Sequence, residues 1–240
     1  MPQSAPWFTL IFLVALAVSL TMQLWLARRQ IRHVASNRSE PPAHFTTRIT
    51  LAAHQKAADY TIARTRLGML DTVLDTAVLL ALTLGGGLAA LAALAEPLPV
   101  ATLWQDVALV AAVALLAALI GLPISWYRTF VIEQRFGFNR MTLGLWLADL
   151  GKTALLGVLL GIPLLTLVLW LMARAGTLWW LYAWLAWVAF QLLMLVLFPT
   201  VIAPLFNKFR PLADEPLRAR VERLLARCGF AAKGLFVMDV

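Results

Sequence analysis

The stretch Val107–Tyr127, VALVAAVALLAALIGLPISWY, runs 21 residues without a charged side chain. As an α-helix rising about 1.5 Å per residue it covers about 31 Å, which matches the hydrocarbon layer of a bilayer. Four further uncharged stretches of similar length flank it: Trp7–Ala27, Thr76–Ala95, Thr153–Ala173 and Ala175–Phe198. The whole chain agrees with this reading. Of its 240 residues 62% are hydrophobic and 13% are charged, with a mean hydropathy of +0.82; a soluble domain carries about 25% charged residues. This composition excludes a disordered chain, a coiled coil and an ordinary water-soluble enzyme. It predicts an all-α membrane protein with about five transmembrane helices.

The second stretch contains Gly85, Gly86 and Gly87. Glycine is common in membrane helices and permits close packing, so the triplet is read as a packing or bending site within one helix. The first stretch lacks a basic n-region and is followed by Arg28 and Arg29, which favours a span over a signal peptide. Tryptophans mark the boundaries. Trp7 and Trp25 bracket the first span, Trp104 and Trp126 the third, Trp170 closes the fourth, and Trp179 and Trp180 open the fifth. Indoles favour the headgroup region because they are amphipathic.

Charge sets the orientation. Nineteen of the 20 Lys and Arg residues fall in the first loop, the third loop and the tail; only Arg174 falls on the other side. The positive-inside rule then places the amino terminus outside and the carboxy terminus in the cytoplasm. The net charge of +8 is thereby accounted for without a nucleic-acid partner. The single cysteine, Cys228, excludes an intramolecular disulfide.

The cytoplasmic loops are 28–75 and 128–152. The first opens with Ser36, Asn37, Ser39, Pro41 and Pro42, an irregular link. From about Thr47 to Met69 its composition predicts a helix that runs into the second span, with His54 and Tyr60 on a solvated face. Asp71 and Asp75 share a helix face at the membrane boundary. Pairing with a nearby Arg, or interfacial solvation, accounts for them more simply than an ion site. Asp149 and Lys152 are spaced for an intrahelical pair.

In the tail, Pro199 and Pro204 are expected to end the fifth helix and force an extended, turning segment through Leu205, Phe206 and Asn207. Asp214 can cap a new helix. Its apolar positions Leu217, Val221, Leu224, Leu225 and Cys228 fall on one face, and Gly229 can close it. Leu235–Met238 then reads as a strand. One helix and one strand cannot bury their apolar faces alone. Residues 1–200 are therefore expected to form a membrane domain, and 201–240 to begin an incomplete cytoplasmic domain.

Two strings are long and specific. The third loop reads YRTFVIEQRFGFNRMT from Tyr127 to Thr142, followed by Asp149 and Lys152; the tail reads IAPLFNKFRPL from Ile202 to Leu212, followed by the helix and a strand ending in Met238 and Asp239. Together they resemble the amino-terminal membrane domain of the type I CAAX prenyl proteases, a family of integral-membrane zinc metalloendopeptidases. The resemblance implies membrane helices around a large chamber. It implies a zinc ion held by the two His of H-E-x-x-H and a later Glu, with the motif Glu activating the attacking water.

The chain departs from the family at that point. Its histidines are His33, His44 and His54, all in or beside the first loop, and none stands in H-E-x-x-H. No catalytic or metal-ligating residue is therefore assigned, and zinc is expected only in a complete family member. The residues matching the family strings are candidates for docking the protease portion or contacting substrate: Glu133, Arg135, Phe136, Gly137, Asn139, Asp149, Lys152, Pro204, Asn207, Lys208 and Phe209. Gly137, between two phenylalanines, suggests a tight turn.

The complete protein is expected to hydrolyse peptide bonds near the carboxy terminus of membrane-associated protein or peptide substrates. Its other partners would be the lipid bilayer and, if the zinc site lies on another polypeptide, a separate catalytic chain. The alternative is a non-catalytic membrane scaffold or regulator derived from the protease. A small transporter using Asp71 and Asp75 is disfavoured because the sequence shows no internal repeat. The Ala-, Leu- and Arg-rich composition points to a bacterial inner membrane, where prenylated substrates would be unusual.

Overall fold

A computed structural model describes residues 6–41, 49–97, 99–230 and 234–239, with Lys208, Phe209, Met238 and Asp239 described in backbone only. Pro42, His44 and Arg48 of the first loop lie outside the described residues. The chain divides into two compact units, Met1–Trp146 and Leu147–Val240.

The first unit begins with helix α1 (Pro6–Ser36), apolar through Ala27 and continuing as a basic helix past Arg28, Arg29 and Arg32. Helix α2 (Leu51–Thr83) starts where the Thr50 hydroxyl accepts the Ala53 amide at 3.2 Å, satisfying one of the amides that a helix start leaves unpaired. It then runs without interruption into the second span, as expected. Helix α1 packs along α2. The Arg38 guanidinium clamps this pair by donating to both Asp59 oxygens at 2.8 Å.

Helix α3 (Gly87–Ala95) leaves α2 at an angle of 59°. The glycine triplet bends the chain, but it also interrupts the helix, which corrects the expectation of one continuous span. The Leu84 and Gly85 amides both donate to the Leu80 carbonyl, at 2.9 Å each, and Gly86 then turns to φ +79°. That left-handed conformation suits glycine because it has no Cβ to clash. A Cβ on Gly85 would lie 2.6 Å from the Ala81 carbonyl oxygen.

Helix α4 (Thr102–Tyr127) follows and packs on α3. It carries Pro123 in its interior and continues as a π-helical turn over Arg128–Glu133. The first part of the expected third loop is therefore helix, and the irregular connection shortens to about 136–142. The next helix, α5 (Leu143–Leu156), begins earlier than the expected span, at Thr142, whose hydroxyl accepts the Leu145 amide at 3.2 Å.

In the second unit a π-helical turn, Gly157–Gly161, carries α5 into α6 (Ile162–Arg174). Gly176, at φ +59°, opens the short connection to α7 (Trp179–Leu197), and α6 packs against α7 as a hairpin. Pro199 does not end this helix. A third π-helical turn, Phe198–Ile202, takes it up, and α8 (Ala203–Phe206) follows with Pro204 in its first turn. The proline ring would strike the carbonyl four residues back in a regular α-helix, and the wider turn relieves that contact. Leu205 and Phe206 are thus helical, not extended.

The extended segment is strand β1 (Lys208–Pro211), which pairs antiparallel with β2 (Phe236–Asp239), Lys208 facing Asp239 and Pro211 facing Phe236. The expected strand is therefore the second of a pair rather than the first of its domain. Between them lies α9 (Glu215–Arg227). Asp214 caps it by accepting the Leu217 amide at 3.0 Å, and Gly229 closes it at φ +72°.

Among the described residues four helical stretches are long and apolar enough to cross a membrane, or five when the bent α2–α3 pair is counted as one span. Their side chains confirm the solvent they need. Leu195 is 73% exposed and Leu94 72% exposed, and the buried hydrophobic residues among those described number eight. Such surface is stable against lipid, not water.

Candidate functional site

The core of the first unit lies where α2 meets the end of α4. Leu67, Ile124, Ile132 and Phe136 are buried there, with Tyr60, Ala63 and Leu74 packed against them. The π-helical turn delivers Ile132 inward. The helix then stops at a closed turn: the Phe138 amide donates to the Glu133 carbonyl at 2.9 Å and the Gly137 amide to the Gln134 carbonyl at 3.0 Å. This double closure requires the residue between them to be left-handed. Gly137 supplies φ +68°, so the tight turn read from the sequence is present.

Asn139 fixes the exit. Its backbone amide donates to the Glu133 carbonyl at 3.2 Å, its side-chain oxygen accepts the Met141 amide at 2.7 Å, and its side-chain nitrogen donates to Gln134 Oε1 at 3.1 Å. Glu133, Phe136, Gly137 and Asn139 therefore belong to one folded corner. Glu133 contributes its carbonyl to that corner, and its side chain is half-buried.

Tyr60 completes the corner. Its ring meets Phe136 edge-on at 5.5 Å and Phe138 at 4.9 Å between centroids. Lys56 Nζ sits 5.3 Å from the Phe138 ring, and the Arg135 guanidinium 5.8 Å from the Phe136 ring. The first-loop helix is thus more than a solvated face: Tyr60, expected there on such a face, and Lys56, which the sequence does not single out, are both part of the corner. Their signal was an aromatic and a cation one helical turn apart, which is also the pattern of an ordinary exposed helix.

Two ion pairs flank the corner. Asp71 accepts from Arg128 at 3.3 Å, the pairing that the sequence suggested for it. Arg38 and Asp59 form the bidentate pair described above. The Arg38 hydrogen bonds hold the Asp59 carboxyl below its usual range, outweighing the opposing effect of desolvation, and Arg135 adds a smaller attraction.

The second unit holds the other candidates. Lys152 donates to Asp149 at 3.0 Å, as the spacing predicted, and its ammonium lies 5.4 Å from the Phe206 ring. Pro204 is exposed in α8. Asn207 ends that helix, its amide donating to the Ala203 carbonyl at 3.0 Å, and feeds β1. The side chains of Lys208 and Phe209 lie outside the described residues.

Among the described residues no group of three or more His, Cys, Asp or Glu side chains can hold a metal ion. His33 and His54 line one shallow depression, where the His54 ring nitrogen lies 2.8 Å from the Asn37 carbonyl oxygen. These residues do not fit the family's zinc ligands, and no hydrolytic step runs through them.

Residues 30–208 match the family described as CAAX prenyl protease N-terminal, five membrane helices. The probable CAAX prenyl protease 1 of Schizosaccharomyces pombe is 31% identical over 229 residues, covering 90% of this chain and 48% of that protein. The CAAX prenyl protease 1 homolog of Oryza sativa is 40% identical over 135 residues, 56% of this chain and 32% of that one. The crystal structure of S. mikatae Ste24p superposes with a TM-score of 0.82 at 28% identity, covering 93% of this chain and 53% of that chain. The chain thus spans about half or less of the length of these relatives. On the membrane helices and the matched residues together, the chain belongs to the CAAX prenyl protease family, whose five-helix membrane region its residues 30–208 represent.

Proposed function

We propose that this chain is the membrane portion of an integral-membrane zinc metalloendopeptidase that hydrolyses peptide bonds near the carboxy terminus of membrane-associated substrates. The observation that supports this reading best is the corner at Glu133–Asn139. The string that carries the family resemblance is the one that locks α4 against α2. Hydrolysis needs ligands beyond this sequence, because no H-E-x-x-H occurs in its 240 residues. Further sequence or a separate catalytic chain would supply them, with residues 201–240 as the start of the cytoplasmic protease domain.

In this reading the Glu133 side chain helps hold the protease portion against the membrane domain. In an assembled enzyme Glu133→Ala lowers thermal stability or activity; if both stay unchanged, docking through Glu133 is wrong. The amino terminus faces outward and the carboxy terminus the cytoplasm, on the distribution of Lys and Arg. Placement in a bacterial inner membrane rests on composition alone, and the relatives reported above are eukaryotic.

The purified chain, alone and supplied with zinc, is expected to leave a carboxy-terminal test peptide intact, while assembly with an H-E-x-x-H portion restores chelator-sensitive cleavage. Stoichiometric metal and cleavage by the chain alone would overturn this. The missing motif also favours a second reading, a non-catalytic scaffold derived from the protease. A reading frame encoding H-E-x-x-H just beyond codon 240 would exclude it.

A further inference from the structure

Between α2 and the end of α4 lies a groove of about 600 Å³. Its floor is apolar, formed mainly by Leu67, Leu70, Leu74 and Ile132, and its polar side chains are Arg66, Arg135 and Tyr127. We propose that this groove binds one anionic phospholipid, with an acyl chain along the leucines and the headgroup phosphate between Arg66 and Arg135.

Three observations support this occupant. First, the charges suit it. The ion pairs among the described residues are Arg38–Asp59, Arg128–Asp71, Lys152–Asp149 and Arg218 with Glu215 and Glu222, so neither Arg66 nor Arg135 is engaged in one. Both side chains are exposed. Asp59 feels Arg135 but is already clamped by Arg38.

Second, the groove changes character along its length. Arg66 and Leu74 are eight residues apart on one helix, about 12 Å. Pro123 lies in the last turns of the uncharged span Val107–Tyr127, and Leu74 lies two residues before the uncharged span that opens at Thr76, whereas Arg66 and Arg135 lie further out in the basic segments. The groove therefore passes from hydrocarbon to headgroup depth, the gradient that a lipid itself carries. Basic pockets between membrane helices on the cytoplasmic side suit such headgroups.

Third, the walls are helical, and their amides are already paired within the helices. An extended peptide laid here would bury its own amides with few partners, at a cost for each one. A phospholipid has its polar atoms at one end and needs no such partners along its chain.

The test uses the 240-residue chain in neutral detergent, titrated with phosphatidylglycerol or with phosphatidylcholine of the same acyl chains, bound lipid being counted by native mass spectrometry. One phosphatidylglycerol per chain is expected, in preference to phosphatidylcholine. Removing both cations in Arg66→Gln/Arg135→Gln should weaken it about fivefold per guanidinium, so roughly 25-fold for the pair. Leu70→Trp fills the groove while keeping both cations, and should also abolish the bound lipid. Arg64→Gln, an exposed cation outside the groove, should change nothing.

Undiminished phosphatidylglycerol in both groove variants would overturn the proposal, as would an equal loss in Arg64→Gln. Displacement by inorganic phosphate alone would reduce the groove to an anion site. Tighter, competing binding of a farnesylated peptide with a free carboxylate would reassign it to peptide. Either of these also overturns the proposal.

Discussion

Gly137 shows how one residue sets the corner. Its φ of +68° is left-handed, and a Cβ there would meet only Lys56 Nζ at 3.6 Å, so a substitution suffers from backbone conformation rather than crowding. Gly137→Ala should lower stability by about 1–2 kcal/mol. Gly68→Ala, in the interior of α2 with nothing within 4 Å of the added methyl, should raise it by about 0.5–1 kcal/mol. Thermal melts in detergent read both signs. Asp59 answers to pH. Its folded carboxyl sits below its usual value, so the Arg38–Asp59 contribution is complete above the unfolded pKa of about 4 and is lost as pH falls through the folded value. The melting gap between the wild type and Asp59→Asn should stay constant from about pH 8 to pH 5 and close only in stronger acid. The turn at Gly137 was legible because a glycine between two phenylalanines has few other uses. The three bonds of Asn139 were not, since a lone Asn in a loop fits many arrangements. Tyr60 was hidden for another reason: its partners Phe136 and Phe138 lie more than seventy positions along the chain.

Hydropathy made the elements legible, and hydropathy also limited the reading. An uncharged run reports that a helix crosses the bilayer but not how its carbonyls pair. The wide turns at Arg128–Glu133, Gly157–Gly161 and Phe198–Ile202 leave no mark in hydropathy, and Pro199 and Pro204 read from sequence as stops. Strand β1 was missed because its partner, β2, comes 25 residues later and the segment Lys208–Pro211 has no alternation to announce it. The glycine triplet was half legible. Three glycines foretell a bend, but only the Leu80 carbonyl, taking two amides, shows that the helix stops there. Replacing Gly85, Gly86 and Gly87 by alanine should join α2 to α3 and remove the 59° bend. Spin labels at positions 79 and 94 should then move apart toward about 22 Å, the length of 15 residues of straight helix. An unchanged distance would mean that packing, not glycine, makes the bend.

For the whole molecule, the lipid-facing surface and the charge asymmetry make a joint claim about placement. Cys228 is exposed at the end of α9 and is the single thiol in the sequence, so it reports on sidedness without an engineered label. In sealed right-side-out vesicles a membrane-impermeant maleimide should leave it unreacted; inverted vesicles should label it fully. Labelling in the first preparation would reverse the orientation. The family was legible at this scale because two strings of more than ten residues each hold buried, turn-forming and pairing roles together.

The three wide turns leave one further consequence. Each accommodates a surplus amino acid without disturbing the phase of the helix on either side. A one-residue deletion inside Gly157–Gly161 should thus be absorbed where it occurs, whereas the same deletion midway through α7 would swing the later side chains of that helix by about 100°. The spans are, in this sense, already spliced with spare stitches.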